Sequence, residues 1–206
     1  MPLKTSYFNK GIFLNNIKRF WLITFSYTFF LLLFVTGYLN SEISQMENAT
    51  RFEVINNIGK DIFSQSSELM MLFLGFFPLV AALAVFSYMQ FPKNTAMVHS
   101  LPVRRETLFL TNYLSGLFIV SFPLVFNGLI LLIAEAVTDF PSLSYAWAWL
   151  GITLALTFLE YSFAVFAGMF TGHMAAHAIF FYIFNFLALF LELMIDSILG
   201  NLLFGY

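Results

Sequence analysis

Glu160 interrupts an otherwise uncharged apolar run from Tyr145 to Thr171. An ionisable group at the centre of a membrane helix costs at least ~2.5 kcal/mol on insertion scales, so it faces protein or water. Three roles are open to it: lining a substrate path, carrying a proton, or being held neutral by a polar neighbour. Asn127 and Asn185 lie in two other apolar runs and are the side chains that could pair with it. Structural pairing is the simpler reading. His173 and His177 are four residues apart, a spacing that puts two imidazoles on one helix face. A metal would need further ligands. No Glu follows His173 in the H-E-x-x-H pattern and the chain has no cysteine, so no metal site is expected. Both histidines read as residues of a membrane interface. Ala164, Gly168 and Gly172 make a small-xxx-small ridge of the kind that lets helices approach closely. Asn112, Ser115 and Gly116 suit the same packing role in their own run. No G-x-S-x-G elbow, no pair of glutamates with an intramembrane histidine and no phosphate-cradling G-x-x-x-x-G-K-[ST] occurs, so no catalytic residue is assigned. Any ATP used by this protein is bound by another chain.

These residues need elements to hold them, and the composition says which kind. Of 206 residues, 60% are apolar and 10% charged, with 29 phenylalanines. So few charges cannot cover a water-exposed surface. Soluble folds, disordered chains and polybasic nucleic-acid binders are thereby excluded. A bilayer core of ~30 Å takes ~20 apolar residues as a helix. Five runs qualify: 20–39, 69–89, 107–134, 145–171 and 174–195. They are continuously apolar rather than alternating, which excludes a β-barrel. The first is too long for a signal-peptide core and no small-x-small site follows it, so it reads as a retained anchor. The expected fold is an all-α polytopic membrane protein, a single transmembrane domain over 1–206.

The basic residues orient it. Seven of nine (Lys4, Lys10, Lys18, Arg19, Lys93, Arg104 and Arg105) fall in segments that place the N-terminus and the 90–106 loop in the cytoplasm. The 40–68 and 135–144 loops are then outside and hold most of the acids. Phe13, Ile17 and Phe20 share a face, so residues 1–19 are expected to include a helix lying in the inner interface. The spacing of Ile55, Ile58 and Ile62 predicts a short amphipathic helix in the outer loop. The 90–106 loop is longer than a connector needs. Pro92 stops the preceding run, Asn94 or Thr95 can cap a helix over about 95–100, and Pro102 ends it and opens the next. Met97, Val98 and Leu101 stand as apolar knobs beside Arg104 and Arg105. That combination reads as a docking surface for a cytoplasmic partner.

The segment Met97-Val98-His99-Ser100-Leu101-Pro102-Val103-Arg104-Arg105, with Leu108 to Leu117 after it, resembles the permease subunits of bacterial ABC exporters, in particular the large permeases of Gram-positive operons. Lys10-Gly11 through Arg19-Phe20-Trp21, and Ala167-Gly168-Met169-Phe170-Thr171-Gly172, are similar to the same family. The resemblance implies a leading helix on the inner leaflet and a coupling helix between the second and third spans. It implies that Met97, Val98, His99, Ser100, Leu101, Pro102, Arg104 and Arg105 dock on a separate ABC ATPase subunit, which holds ATP and magnesium. It also implies pairing with a second permease copy or a homologous permease in the plasma membrane. The family has six spans per half and five are found here, which implies a portion of a longer permease. The expected function is thus an export permease subunit, without nucleic acid or a cofactor of its own. The alternative is a membrane sensor or immunity-type interaction protein that meets its partner through the 40–68 loop.

Overall fold

The computed structural model describes residues 7–46, 67–90, 103–137 and 143–202. Every regular element among them is an α-helix: α1 (Lys10–Arg19), α2 (Trp21–Met46), α3 (Ser67–Val85), α4 (Ser87–Gln90), α5 (Arg105–Val137), α6 (Leu143–Phe170) and α7 (Met174–Leu202). The expected helices over 95–100 and 55–62 lie outside the described residues.

Local chemistry sets the helix ends. Asn9 caps α1: its side-chain oxygen accepts from the Gly11 and Ile12 amides at 3.0 and 3.2 Å. Lys18 and Arg19 fall in the last turn, where the helix dipole favours cations. Phe20 then leaves the helical region and its amide closes on the Asn16 carbonyl. The chain restarts at Trp21, with α1 and α2 at 57° to one another. α5 opens just after Pro102, and Leu108 N–H reaches back to the Arg104 carbonyl at 3.0 Å. Between α6 and α7, His173 serves as the cap. Its Nδ1 accepts from the Ala175 amide at 3.2 Å, and its carbonyl takes the His177 amide.

Arg105–Ala134, Trp147–Phe170 and Met174–Gly200 are each long and apolar enough to cross a membrane. The bent pair of α1 and α2 makes a fourth if counted as one. The run expected to span over 69–89 is divided at Phe86, and its apolar helix, Leu72–Val85, falls in a shorter class. These proportions are those of a membrane protein built from helices.

α6 lies between α3 and α5, α5 also packs on α1 and α2, and α7 leans mainly on α6. Tyr27 of α2 stacks on Phe77 of α3, with centroids 4.3 Å apart. Two glycines of α5 admit side chains from α6. A methyl at Gly116 would collide with Tyr161, and one at Gly128 would lie 2.8 Å from Leu150 Cδ1. These pairings run in opposite directions along the chain, so α5 and α6 are antiparallel.

Candidate functional site

Most of the polar side chains buried in this apolar bundle gather where α1, α4, the start of α5 and the start of α7 meet. α5 carries Thr107, Thr111 and Ser115 at four-residue spacing, with Asn112 beside them, and all four are buried. One stripe of the helix is therefore polar. α1 lies along it. Asn16, the buried residue of α1, gives its amide hydrogens to Asn112 Oδ1 at 2.7 Å and Ser115 Oγ at 2.8 Å. The Asn9 amide donates to Thr111 Oγ1 at 3.1 Å, and Thr111 donates onward to the Thr107 carbonyl at 2.6 Å. Phe13 meets Phe118 edge-on at 5.8 Å. The expected face of Phe13, Ile17 and Phe20 is thus turned to protein, with a polar residue at its centre.

The other half of the belt joins α4 to α6 and α7. Tyr88 faces Asn112. Gln90 is buried and its Nε2 lies 2.7 Å from Nδ1 of His177. Nε2 of His177 lies 2.6 Å from the Ala164 carbonyl. A carbonyl only accepts, so Nε2 carries the hydrogen and Nδ1 accepts from the Gln90 amide. The imidazole is neutral in that arrangement. Its ring lies over Gly168, where a methyl would come within 2.6 Å of Cε1.

Of the two histidines expected at a membrane interface, His177 is fully buried within the bundle. His173 is exposed and caps its own helix. Among the described residues no group of three or more His, Asp or Glu is placed to hold a metal ion. In the small-residue ridge, Ala164 is buried and Gly168 supports the His177 ring, but Gly172 has open space where a side chain would stand. Gly116 makes room for Tyr161 as a packing residue should, whereas Asn112 and Ser115 are hydrogen-bond partners of α1.

The three polar residues expected within the membrane divide. Asn185 faces Glu160 across α6 and α7, and its Nδ2 donates to the Phe181 carbonyl at 3.2 Å. Asn127 turns instead to the Pro123 carbonyl at 2.9 Å and the Thr28 carbonyl at 3.4 Å. The hydroxyls of Tyr27 and Thr157 face each other across α2 and α6. Neither completes a hydrogen bond, nor do Tyr161 Oη, Asn127 Oδ1, Gln90 Oε1 and Glu160 Oε2, though all are buried.

Of the docking residues expected from sequence, Met97, Val98, His99, Ser100, Leu101 and Pro102 lie outside the described residues. Arg104 and Arg105 are described and exposed at the head of α5. Both chain segments that bound the 91–102 connection are fastened into the polar belt: Tyr88 and Gln90 before it, Thr107 to Ser115 after it. Sequence reasoning passed over Asn16 and Gln90. Asn16 left a signal, since it falls inside the arc spanned by Phe13, Ile17 and Phe20. Gln90 left none, because its partner is 87 residues away. Comparison with protein-family models, with curated proteins and with solved structures gives no match.

Proposed function

We propose that this chain is the membrane-embedded permease subunit of an ABC exporter, driven by a separate ATPase subunit. In this reading the chain crosses the plasma membrane five times with its N-terminus in the cytoplasm. The 90–106 connection is a coupling element, and Met97 to Arg105 form its docking face. ATP and magnesium belong to the ATPase, and a second permease copy completes the pathway. The sequence resemblance of 97–117 suggests the family, and one structural observation supports it. The connection is rooted at both ends in buried hydrogen bonds that reach α1, α6 and α7. A floppy linker would dissipate a push from a soluble partner. One whose stems are tied to Asn16 and His177 would pass the push to helices on both sides of the bundle.

The test is reconstitution with the ABC ATPase subunit that this reading expects to be encoded beside this chain. The double charge reversal Arg104→Glu, Arg105→Glu is expected to abolish co-purification and return ATP hydrolysis to the rate of the isolated ATPase. Lys10→Glu with Lys18→Glu carries the same charge change on α1 and is expected to leave complex formation intact. Unchanged association and coupled hydrolysis in the Arg104/Arg105 variant would overturn the docking assignment.

A further inference from the structure

Glu160 is a half-buried ionisable residue in the middle of α6, and among the described residues no lysine or arginine belongs to α2, α3, α6 or α7. No lysine or arginine follows Arg105 anywhere in the sequence, and α2 and α3 contain none. The described basic residues, Lys10, Lys18, Arg19, Arg104 and Arg105, lie on α1 or at the head of α5. Glu160 stands ten residues before the end of α6 at Phe170, a distance of about 15 Å along the helix. That is half the depth of a bilayer core.

The groups around it are neutral. On α7 it faces Asn185; His177 lies about two turns toward the polar belt, held by Gln90 and Ala164. On α5 the nearest titratable group is Tyr113, whose hydroxyl pairs with Ser162 of α6 at 2.9 Å. Tyr27 of α2 faces Thr157, one turn from Glu160. Tyr161 is on α6 itself. The ionisable side chain of α3, Glu68, is at the start of that helix. One carboxyl oxygen, Oε2, is buried without any donor. A carboxylate would leave that buried oxygen charged and without a hydrogen bond, which is unfavourable. A carboxylic acid places no charge there. The residue is neither fully buried nor fully exposed, and its outer neighbours Phe163 and Phe166 are exposed to the surroundings of the bundle. The exposed side chains next to the half-buried carboxyl are thus apolar and aromatic.

We propose that Glu160 and Asn185 form a proton-binding site at the α6–α7 seam, in which Glu160 is a neutral carboxylic acid reachable from the lipid phase by lipophilic carbodiimides. The reaction is an addition. A carboxyl oxygen bonds to the central carbon of the N=C=N group while the acid proton passes to one nitrogen, giving an O-acylisourea. With water excluded, the acyl group migrates to nitrogen and leaves a stable N-acylurea. No group departs and nothing is oxidised. A carboxylate lacks the proton this step consumes, so the reagent reports the protonated form. The proposal needs no ATPase partner, so it stands or falls separately from the transport reading.

The experiment treats the full chain in lipid nanodiscs with dicyclohexylcarbodiimide between pH 6 and 9. Adducts are mapped by mass spectrometry after chymotryptic cleavage, because trypsin has no site beyond Arg105. The adduct is expected on Glu160 at least ~10-fold above Glu106, Glu192 and Asp196, a ratio worth about 1.4 kcal/mol. It is expected to fall as pH rises and to vanish in Glu160→Gln. A water-soluble carbodiimide with an amine is expected to give the reverse order. Failure to label Glu160 in folded protein, when the heat-unfolded sample labels there, overturns the proposal. So does labelling that is constant across the pH range, or equal reactivity of Glu160 and Glu192 toward the soluble reagent.

Discussion

α6 and α7 are consecutive apolar helices of 28 and 29 residues, each long enough to cross a bilayer. Their surroundings differ greatly. In α6, 39% of the most apolar window is buried within the molecule, against 6% in α7. α6 contributes Thr153, Thr157, Tyr161, Ala164 and Ala167 to the interior. Beyond Asn185, α7 presents Phe186, Leu187, Phe190, Leu191, Leu193, Met194 and Ile195, all exposed. In lipid there is no hydrophobic force to gather helices, because the tails are as apolar as leucine. Close packing and polar contacts decide which helix is central. α6 holds small and hydroxylated residues on its inward face, and α7 has them mainly in its first turns, around His177.

The comparison can be broken at three places. The largest effect is expected where α6 meets α5. Gly116→Ala puts a methyl into the buried Tyr161 ring, 2.7 Å from Cζ. Overpacking of this kind costs roughly 1–3 kcal/mol, and thermal unfolding in detergent should register it as a clear drop in Tm. Gly200→Ala on α7 adds the same atoms where no neighbour lies within 4 Å, and Tm should hold or rise. Equal losses in the two variants would mean that α7 is as tightly enclosed as α6.

A middle-sized effect is expected where α7 does touch the rest of the bundle. Gln90→Ala and His177→Ala should each destabilise, and a double-mutant cycle should return a coupling of about 0.6–1.7 kcal/mol, the range for hydrogen bonds between membrane helices. Additive losses would show that the 2.7 Å contact contributes nothing beyond its packing. The smallest effect belongs to the outer half of α7. Leu193→Ala removes a side chain that is 68% exposed, so stability should shift by no more than about 0.5 kcal/mol. A loss above 2 kcal/mol would place a packed partner on that face.

The all-helical fold was legible because continuous apolar runs have only one way to satisfy their backbone in a membrane. Helix starts at Arg105 and Met174 were legible to within a few residues, since Pro102 and the Gly172-His173 turn mark them. The division at Phe86 was not. Neither proline nor glycine stands there, and Pro78 sits inside α3 without ending it. The polar belt was legible only in fragments. Asn112 and Ser115 were noticed as small polar residues, yet their partner Asn16 lies about a hundred positions earlier, and pairing at that range leaves no periodic trace. Glu160 announced itself by being alone. Its choice of Asn185 over Asn127 depends on which face α7 turns to α6, and apolarity all round a helix hides that.

The fastening of α1 has a consequence in time. Asn16 waits for Asn112 and Ser115, 96 and 99 residues later in the chain. At a synthesis rate of 5–20 residues per second, that is a delay of roughly 5–20 s. Through that interval the nascent α1 has none of its α5 hydrogen bonds. Its order during biogenesis then rests on its Asn9 cap and on the cations of its last turn, and it locks only when the head of α5 arrives.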